Sequence, residues 1–349
     1  MAHVLCYGPG DLGERIIDQL VTTLTGDDRL TIAGRPGEIF QDIVHMAQMK
    51  ARALNPGLLV DGLPWPLTED GQWEDWLRVN TPEVVVFTAS YWTWWKRSAL
   101  DPLVAGLVQA AGFGLWLPFQ AALLMRFAAY LTALPTPPWL VIGPYPDVTS
   151  VLIKAQGFDR TVGFGNVDEL ALLYPQDVRL VAHHSVEAAL FSGSPLPPYR
   201  LWHQEAKAGW QPDVLTRPFS WPAGTRSHVW TAASAVRTVR ALLNDTPTLM
   251  HAPGPLGLPG GYPVKISRSG IRLALPEIMT RDEAIAINLQ AGKADGIEGI
   301  DEIGRVFLTE KAVRGARALW GESLRVWGPT WQAWDEMAQR LLNHMKGAR

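Results

Sequence analysis

HVLCYGPGDLGERI, running from His3 to Ile16, sets a short apolar run, a glycine-rich turn and the opening of a helical pattern in direct succession. Gly8, Gly10 and Gly13 fall in the G-x-G-x-x-G spacing at the junction. Each has a physical task. Gly8 permits the tight turn, Gly10 lets the backbone come close to a pyrophosphate, and Gly13 lets the helix pack tightly on the strand. The helix start at Asp11 and Leu12 presents unpaired N–H groups and the positive end of its dipole to the phosphates. The glycine spacing alone is a weak signal. Its place after a strand and before a helix makes it a dinucleotide-binding fingerprint.

Downstream, Glu14–Leu24 has helical spacing, with Ile16, Ile17, Leu20, Val21 and Leu24 on one face. Leu30–Ala33 predicts a second strand, Glu38–Arg52 a helix, Leu58–Val60 a third strand, and Glu83–Thr88 and Pro138–Gly143 two more. Strands alternating with helices predict an α/β fold whose N-terminal part, residues 1–150, is a Rossmann doubly wound parallel sheet. Thr88 and Ala89, at the end of the Glu83–Thr88 strand, are expected to join the cofactor crevice. The second strand ends Ala33-Gly34-Arg35, without the acid that would hold a ribose 2′-hydroxyl. Arg35 can instead pair with a 2′-phosphate, so NADP is expected over NAD.

The composition excludes several classes. The chain has 349 residues, is 47% apolar and 19% charged, and carries a net charge of −3 with no basic or acidic tail. That argues against disorder and against nucleic acid as the main partner. The single cysteine, Cys6, lies in a predicted strand, which leaves no disulfide framework and no cysteine-based metal site; no metal is expected. A first strand at His3 leaves no room for a signal peptide, and a cytoplasmic location is expected. Val104–Met125 is long enough to span a bilayer, with only Gln109 and Gln120 strongly polar. Gly112, Gly114 and Pro118 interrupt it, which predicts two buried helices and no membrane partner. Its extent, Leu103–Leu134, predicts subunit pairing, as a homodimer or homotetramer. The 16 tryptophans mark no repeat.

The second part, 151–349, is expected to be an α+β substrate and oligomerisation domain, with the boundary near Ser150. Helices are predicted at Val148–Gln156, Asp168–Tyr174, Thr231–Leu243 and Thr309–Trp320. Val178–His183 predicts a strand, and Tyr262–Ser267 with Gly270–Leu275 a hairpin. The Pro-rich Ser194–Pro222 reads as a covering or swapped loop.

The order of these features resembles the lactate/malate dehydrogenase superfamily over most of the chain, by spacing more than identity. EVVVFTAS (Glu83–Ser90) is similar to that family's strand before its mobile loop, and WLVIGPYPDVTSVLIKAQGF (Trp139–Phe158) to its strand, Asn-Pro turn and helix. TVGFGNVDELALL (Thr161–Leu173) resembles the segment bearing the catalytic aspartate, which would be Asp168. VRLVAHHS (Val178–Ser185) resembles the strand ending at the catalytic histidine, which would be His184 or His183. The resemblance implies hydride exchange between a nicotinamide and a small-molecule substrate. The histidine would move a proton while the carboxylate orients its ring.

The departures bear on substrate. The family grips a substrate carboxylate with an arginine shortly after the aspartate; the matching residue is Ala171. Gly112–Gln120 contains no arginine to polarise a carbonyl. A 2-hydroxy acid is therefore not the expected substrate. A carbonyl/alcohol or imine pair is, with Trp92, Lys96 and Arg97 of the tryptophan-rich segment as candidate substrate residues. A dehydrogenase-derived protein that binds dinucleotide without catalysis, or an opine- or saccharopine-type dehydrogenase, are the alternatives. The related NAD- and metal-dependent glycosidases use a cysteine that this chain lacks at that place.

Overall fold

The computed structural model describes residues 1–67, 72–174, 177–205, 207–217, 220, 222, 224–321 and 323–347. Strand and helix alternate through the first half: β1 (His3–Tyr7), α1 (Asp11–Thr23), β2 (Arg29–Ala33), α2 (Glu38–Leu54), β3 (Leu59–Leu63), α3 (Gln72–Asn80), β4 (Val84–Phe87), α4 (Pro102–Ala111), α5 (Leu117–Thr132), β5 (Trp139–Ile142), α6 (Pro146–Ala155) and β6 (Thr161–Gly163). Then come α7 (Val167–Leu172), β7 (Val178–Val181), α8 (His184–Ser192), β8 (Arg200–Glu205), β9 (Gly209–Asp213), α9 (His228–Leu243), β10 (Thr248–Pro253), β11 (Gly261–Ser267) and β12 (Gly270–Leu273). The chain closes with α10 (Arg281–Gly292), β13 (Ile297–Ile300), β14 (Val306–Leu308), α11 (Glu310–Trp320), β15 (Val326–Trp327) and α12 (Trp331–Gly347).

Six strands form one parallel sheet in the order β3-β2-β1-β4-β5-β6. The order reverses between β1 and β4, and in such sheets a ligand crevice opens beyond the strand ends at that point. Alternate side chains go to opposite faces. Leu5, Tyr7, Val85, Phe87, Leu140 and Ile142 join one core, with Phe127 of α5 and Leu152 of α6. Val4, Cys6, Ile32, Val84, Val86 and Val141 join another, with Ile16 of α1, Ile43 of α2 and Val239 of α9. Both faces are covered, which is why these strands read as unbroken apolar runs.

Two expectations are revised, and the reading of the apolar segment as two helices holds. The sheet passes the boundary expected near Ser150, because its sixth strand is Thr161–Gly163 and α9 completes one of its cores. The Pro-rich stretch is no covering loop: β8 and β9 pair antiparallel and β7 joins them in a three-stranded sheet. Residues 206, 218, 219 and 221 of that stretch lie outside the described ones. The apolar segment becomes α4 and α5, bent by 110° at a short turn, and no single helix among the described residues is long and apolar enough to cross a membrane. The chain's own α12 and α6 cover α5, with Phe119, Leu124, Met125 and Phe127 buried.

Candidate functional site

The fingerprint glycines have three different surroundings. Gly8 has φ 98°, and a Cβ there would lie 2.5 Å from the Ala89 backbone nitrogen. Its N–H donates to the Ala33 carbonyl at 3.0 Å, and its carbonyl accepts the Thr88 hydroxyl at 2.6 Å. A Cβ on Gly13 would sit 2.3 Å from the Gly8 carbonyl oxygen. Gly10 caps α1 without a side-chain partner, and a Cβ there would meet nothing within 4 Å. The turn is closed by protein at Gly8 and Gly13 and open at Gly10, which is the opening a pyrophosphate needs. Thr88 and Ala89, just past the end of β4, pack against Gly13 and Gly8. Gly34 lies against Pro9, and Arg35 is exposed just beyond.

Asp11 and Leu12 divide their roles. Leu12 packs partly buried against the core. The Asp11 carboxylate pairs with Arg15 at 3.2 Å and with His228 Nδ1 of α9 at 2.5 Å. Burial pushes this carboxyl up, but Arg15 and His228 outweigh it and hold it below the usual range. His228 also meets the Trp95 ring edge-on, with centroids 5.5 Å apart. Sequence reasoning missed His228, which lies 217 positions from its partner.

The adjacent histidines at the end of β7 differ in environment. His183 is 3% exposed and caps α8, its Nδ1 accepting the Ser185 N–H at 3.2 Å. Burial lowers its pKa, so the neutral ring is favoured. His184 is 22% exposed, and its Nδ1 donates to Asp295 Oδ2 at 2.7 Å. Burial alone would lower its pKa; the charge and hydrogen bond of Asp295, with Asp147 adding, overcome this and raise it to about 9. Burial pushes Asp295 up, and the His184 charge and hydrogen bond, with His183 and Tyr145, bring it below its ordinary value. The Tyr145 hydroxyl donates to the same Oδ2 at 2.8 Å. Asp147 accepts the His184 backbone N–H at 2.8 Å and the Asn166 amide at 2.7 Å, which fixes the start of α8. Phe113 and Tyr145 flank the His184 ring at centroid distances of 4.9 and 5.2 Å.

Asp168 is not the orienter of either histidine, contrary to the expectation. It starts α7 and turns to α9, where Arg237 Nη1 donates to both its oxygens at 2.9 Å and the Ser234 hydroxyl donates at 2.8 Å. The His251 N–H adds a bond at 3.2 Å. A carboxylate that is 1% exposed needs such a set of donors, and this one ties α7, α9 and β10 together. Replacing Asp168 by Asn should cost stability, about 1.5–3 kcal/mol for a charge-assisted bond. The lower part of that range is expected because Arg237 is 36% exposed and partly screened by water. Urea unfolding beside turnover tests this: lost turnover at parental stability would return Asp168 to the chemistry.

The tryptophan-rich segment also departs from expectation. Trp92 is 4% exposed and packs on Trp116 and Phe119, and its carbonyl accepts from Trp116 and Gln120; it offers no face to a substrate. Arg97 stacks over Trp94 at 4.4 Å, and Trp94 packs on Phe113, so Arg97 stands behind the site. Lys96 is exposed on the same short helical turn. Ala171 is buried and brings no charge.

No protein-family model matches the chain, and no curated protein is significantly similar to it in sequence. Solved structures are similar in fold. The malate dehydrogenase of Cryptosporidium parvum superposes with a TM-score of 0.50 at 13% identity, over 84% of this chain and 98% of that one. Those of Aeropyrum pernix and Salinibacter ruber give TM-scores of 0.47 and 0.44 at 16% and 14% identity, over 84% of this chain and 97% and 95% of theirs. At such identities the likeness concerns the fold alone: this chain has an α/β architecture of the kind seen in malate dehydrogenases, built on a six-stranded parallel sheet.

Proposed function

We propose that this protein is an NADP-preferring oxidoreductase that moves a hydride to or from a carbonyl/alcohol or imine substrate lacking an adjacent carboxylate. The observation that carries the reading is the His184–Asp295 pair at 2.7 Å, on a ring that is 22% exposed and set among Phe113 and Tyr145. Bound nicotinamide would supply or accept the hydride. Gly8, Gly10 and Gly13 suit its pyrophosphate, because only at Gly10 does the turn leave room beside its backbone. Arg35 would meet the 2′-phosphate.

Asp295 holds the Nδ1 proton of His184 and favours the charged ring, leaving Nε2 to give a proton to the substrate heteroatom. The Tyr145 hydroxyl donates to the same carboxylate oxygen and helps to hold it in place. Simple 2-hydroxy acids are disfavoured because Gly112–Gln120, whose Phe113 stands beside the His184 ring, offers neither an arginine nor a lysine to a carboxylate.

Two measurements test this. Calorimetry should find NADPH bound more tightly than NADH, and Arg35→Ala should narrow the difference by about 1–3 kcal/mol, the scale of a charge-assisted contact. Equal or tighter NADH binding refutes the preference. Absorbance of the NADPH complex mixed with ketones, aldehydes and cyclic imines tests the reaction. No oxidation with any of them would leave a dinucleotide-binding protein without this chemistry.

A further inference from the structure

The surroundings of His184 are acidic well beyond the one carboxylate that the proton transfer uses. Glu187 lies one helical turn after His184 on α8, and residues at that spacing share a face. It is partly exposed, as His184 is. Its carboxyl is hydrogen bonded to that of Glu169, which is 6% exposed. Burial and the Glu187 charge push Glu169 well above its ordinary value. Burial also raises Glu187, His184 pulls it down, Asp147 pushes it up, and it stands at about 7. Two carboxyls so placed share one proton, and the second ionises as pH rises through about 7, so the pair is partly negative at neutral pH and a cation beside it favours the full charge.

The charges that bear on His183 are Asp147, Asp295 and His184, and those on Glu187 are His184 and Asp147. Arg97, the cation that stands behind this site, is engaged by the Trp94 ring. Asp147, Asp295 and the Glu169–Glu187 pair therefore outweigh a charged His184. The aromatic rings add to this independently: Phe113 and Tyr145 stand against the His184 ring. Ring faces attract cations. An anion entering here would meet repulsion in a poorly solvated place, whereas a cation would relieve it.

We propose that the substrate of this site carries a protonated nitrogen, an amine or its iminium, with Glu187 as the counter-charge and Phe113 as the ring beside it. The proposal rests on the oxidoreductase reading and narrows its substrate class. In the reductive direction the iminium carbon accepts hydride from NADPH, its C=N π pair becomes the nitrogen lone pair, and His184 Nε2 protonates that lone pair. The products are the ammonium, NADP⁺ and neutral His184. In the oxidative direction the same proton returns to the ring.

The test is direct binding to the full-length protein without cofactor, by calorimetry at pH 7, with benzylamine, benzyl alcohol and benzoate as probes of one shape. Benzylamine should bind at least about tenfold more tightly than benzyl alcohol, the worth of one charge-assisted contact. Benzoate should bind weakest. Glu187→Gln, which is isosteric and removes like-charge crowding, should abolish most of the amine advantage. Phe113→Leu should weaken benzylamine about threefold and leave benzoate unchanged. Benzoate binding as tightly as benzylamine, an amine advantage intact in both variants, or no amine binding at all overturns the proposal. None of these readouts needs turnover. Failure of hydride transfer with a preserved amine preference would sink the oxidoreductase reading alone.

Discussion

Replacing His184 by alanine is expected to lower turnover by about 10²–10⁴-fold, the usual worth of a placed proton donor, with cofactor affinity as in the parent. The parent should also show the ring's titration. His184 is the acid in the reductive direction, and with its pKa raised to about 9 the reductive rate should hold through neutral pH and fall as pH rises through about 9. The oxidative rate needs the neutral ring and should climb over the same interval. Asp295→Asn removes the charge that raises the pKa and leaves only a neutral amide beside the ring, so the reductive limb should move toward lower pH, to the ordinary imidazole range or below it. A pH–rate profile that stays in place in Asp295→Asn would remove Asp295 from the chemistry. Undiminished turnover in His184→Ala would remove the histidine as well.

Gly10→Val should cost about 10²-fold or more in nicotinamide cofactor affinity while the protein unfolds at nearly the parental urea concentration. The loss corresponds to one or two charge-assisted hydrogen bonds to the pyrophosphate at roughly 1.5–3 kcal/mol each. The fold is spared because Gly10 has φ −84° and ψ −169°, extended backbone open to any residue, and its added Cβ would touch no protein atom within 4 Å. Gly13→Ala makes the contrast. Its Cβ would press on the Gly8 carbonyl at 2.3 Å, so stability should fall by about 1–3 kcal/mol, as overpacking does. Parental cofactor affinity in Gly10→Val would mean that the open turn serves something other than a dinucleotide.

Local pattern carried much of the fold. The parallel sheet was legible because strands buried on both faces must be apolar throughout, as in Val84–Phe87, and because the helices between them show one apolar stripe, as Ile16, Ile17, Leu20 and Val21 do. The glycine turn was legible because its constraints are local: the atoms that crowd Gly13 belong mainly to Gly8. The same logic failed at the Pro-rich stretch. Proline content suggested a loop, yet Leu201 and Trp202 found partners in β7 and β9 that no nearby residue announces.

The partners of charged side chains were another matter. The spacing drew Asp168 toward the histidines, but a helix start can aim its carboxylate only where donors lie, and those came from Ser234 and Arg237 of α9. Asp295 reached His184 across 111 positions and His228 reached Asp11 across 217, with no motif linking either pair. By itself, then, the sequence determined a glycine turn between strand and helix on a parallel sheet and a pair of histidines at a strand end. Only the tertiary structure decided which histidine is neutral and buried, which is charged and open, and which acid sits beside it. Hydrophobic periodicity is a property of neighbours along the chain, whereas the pairing of a buried charge depends on whichever element packs against it.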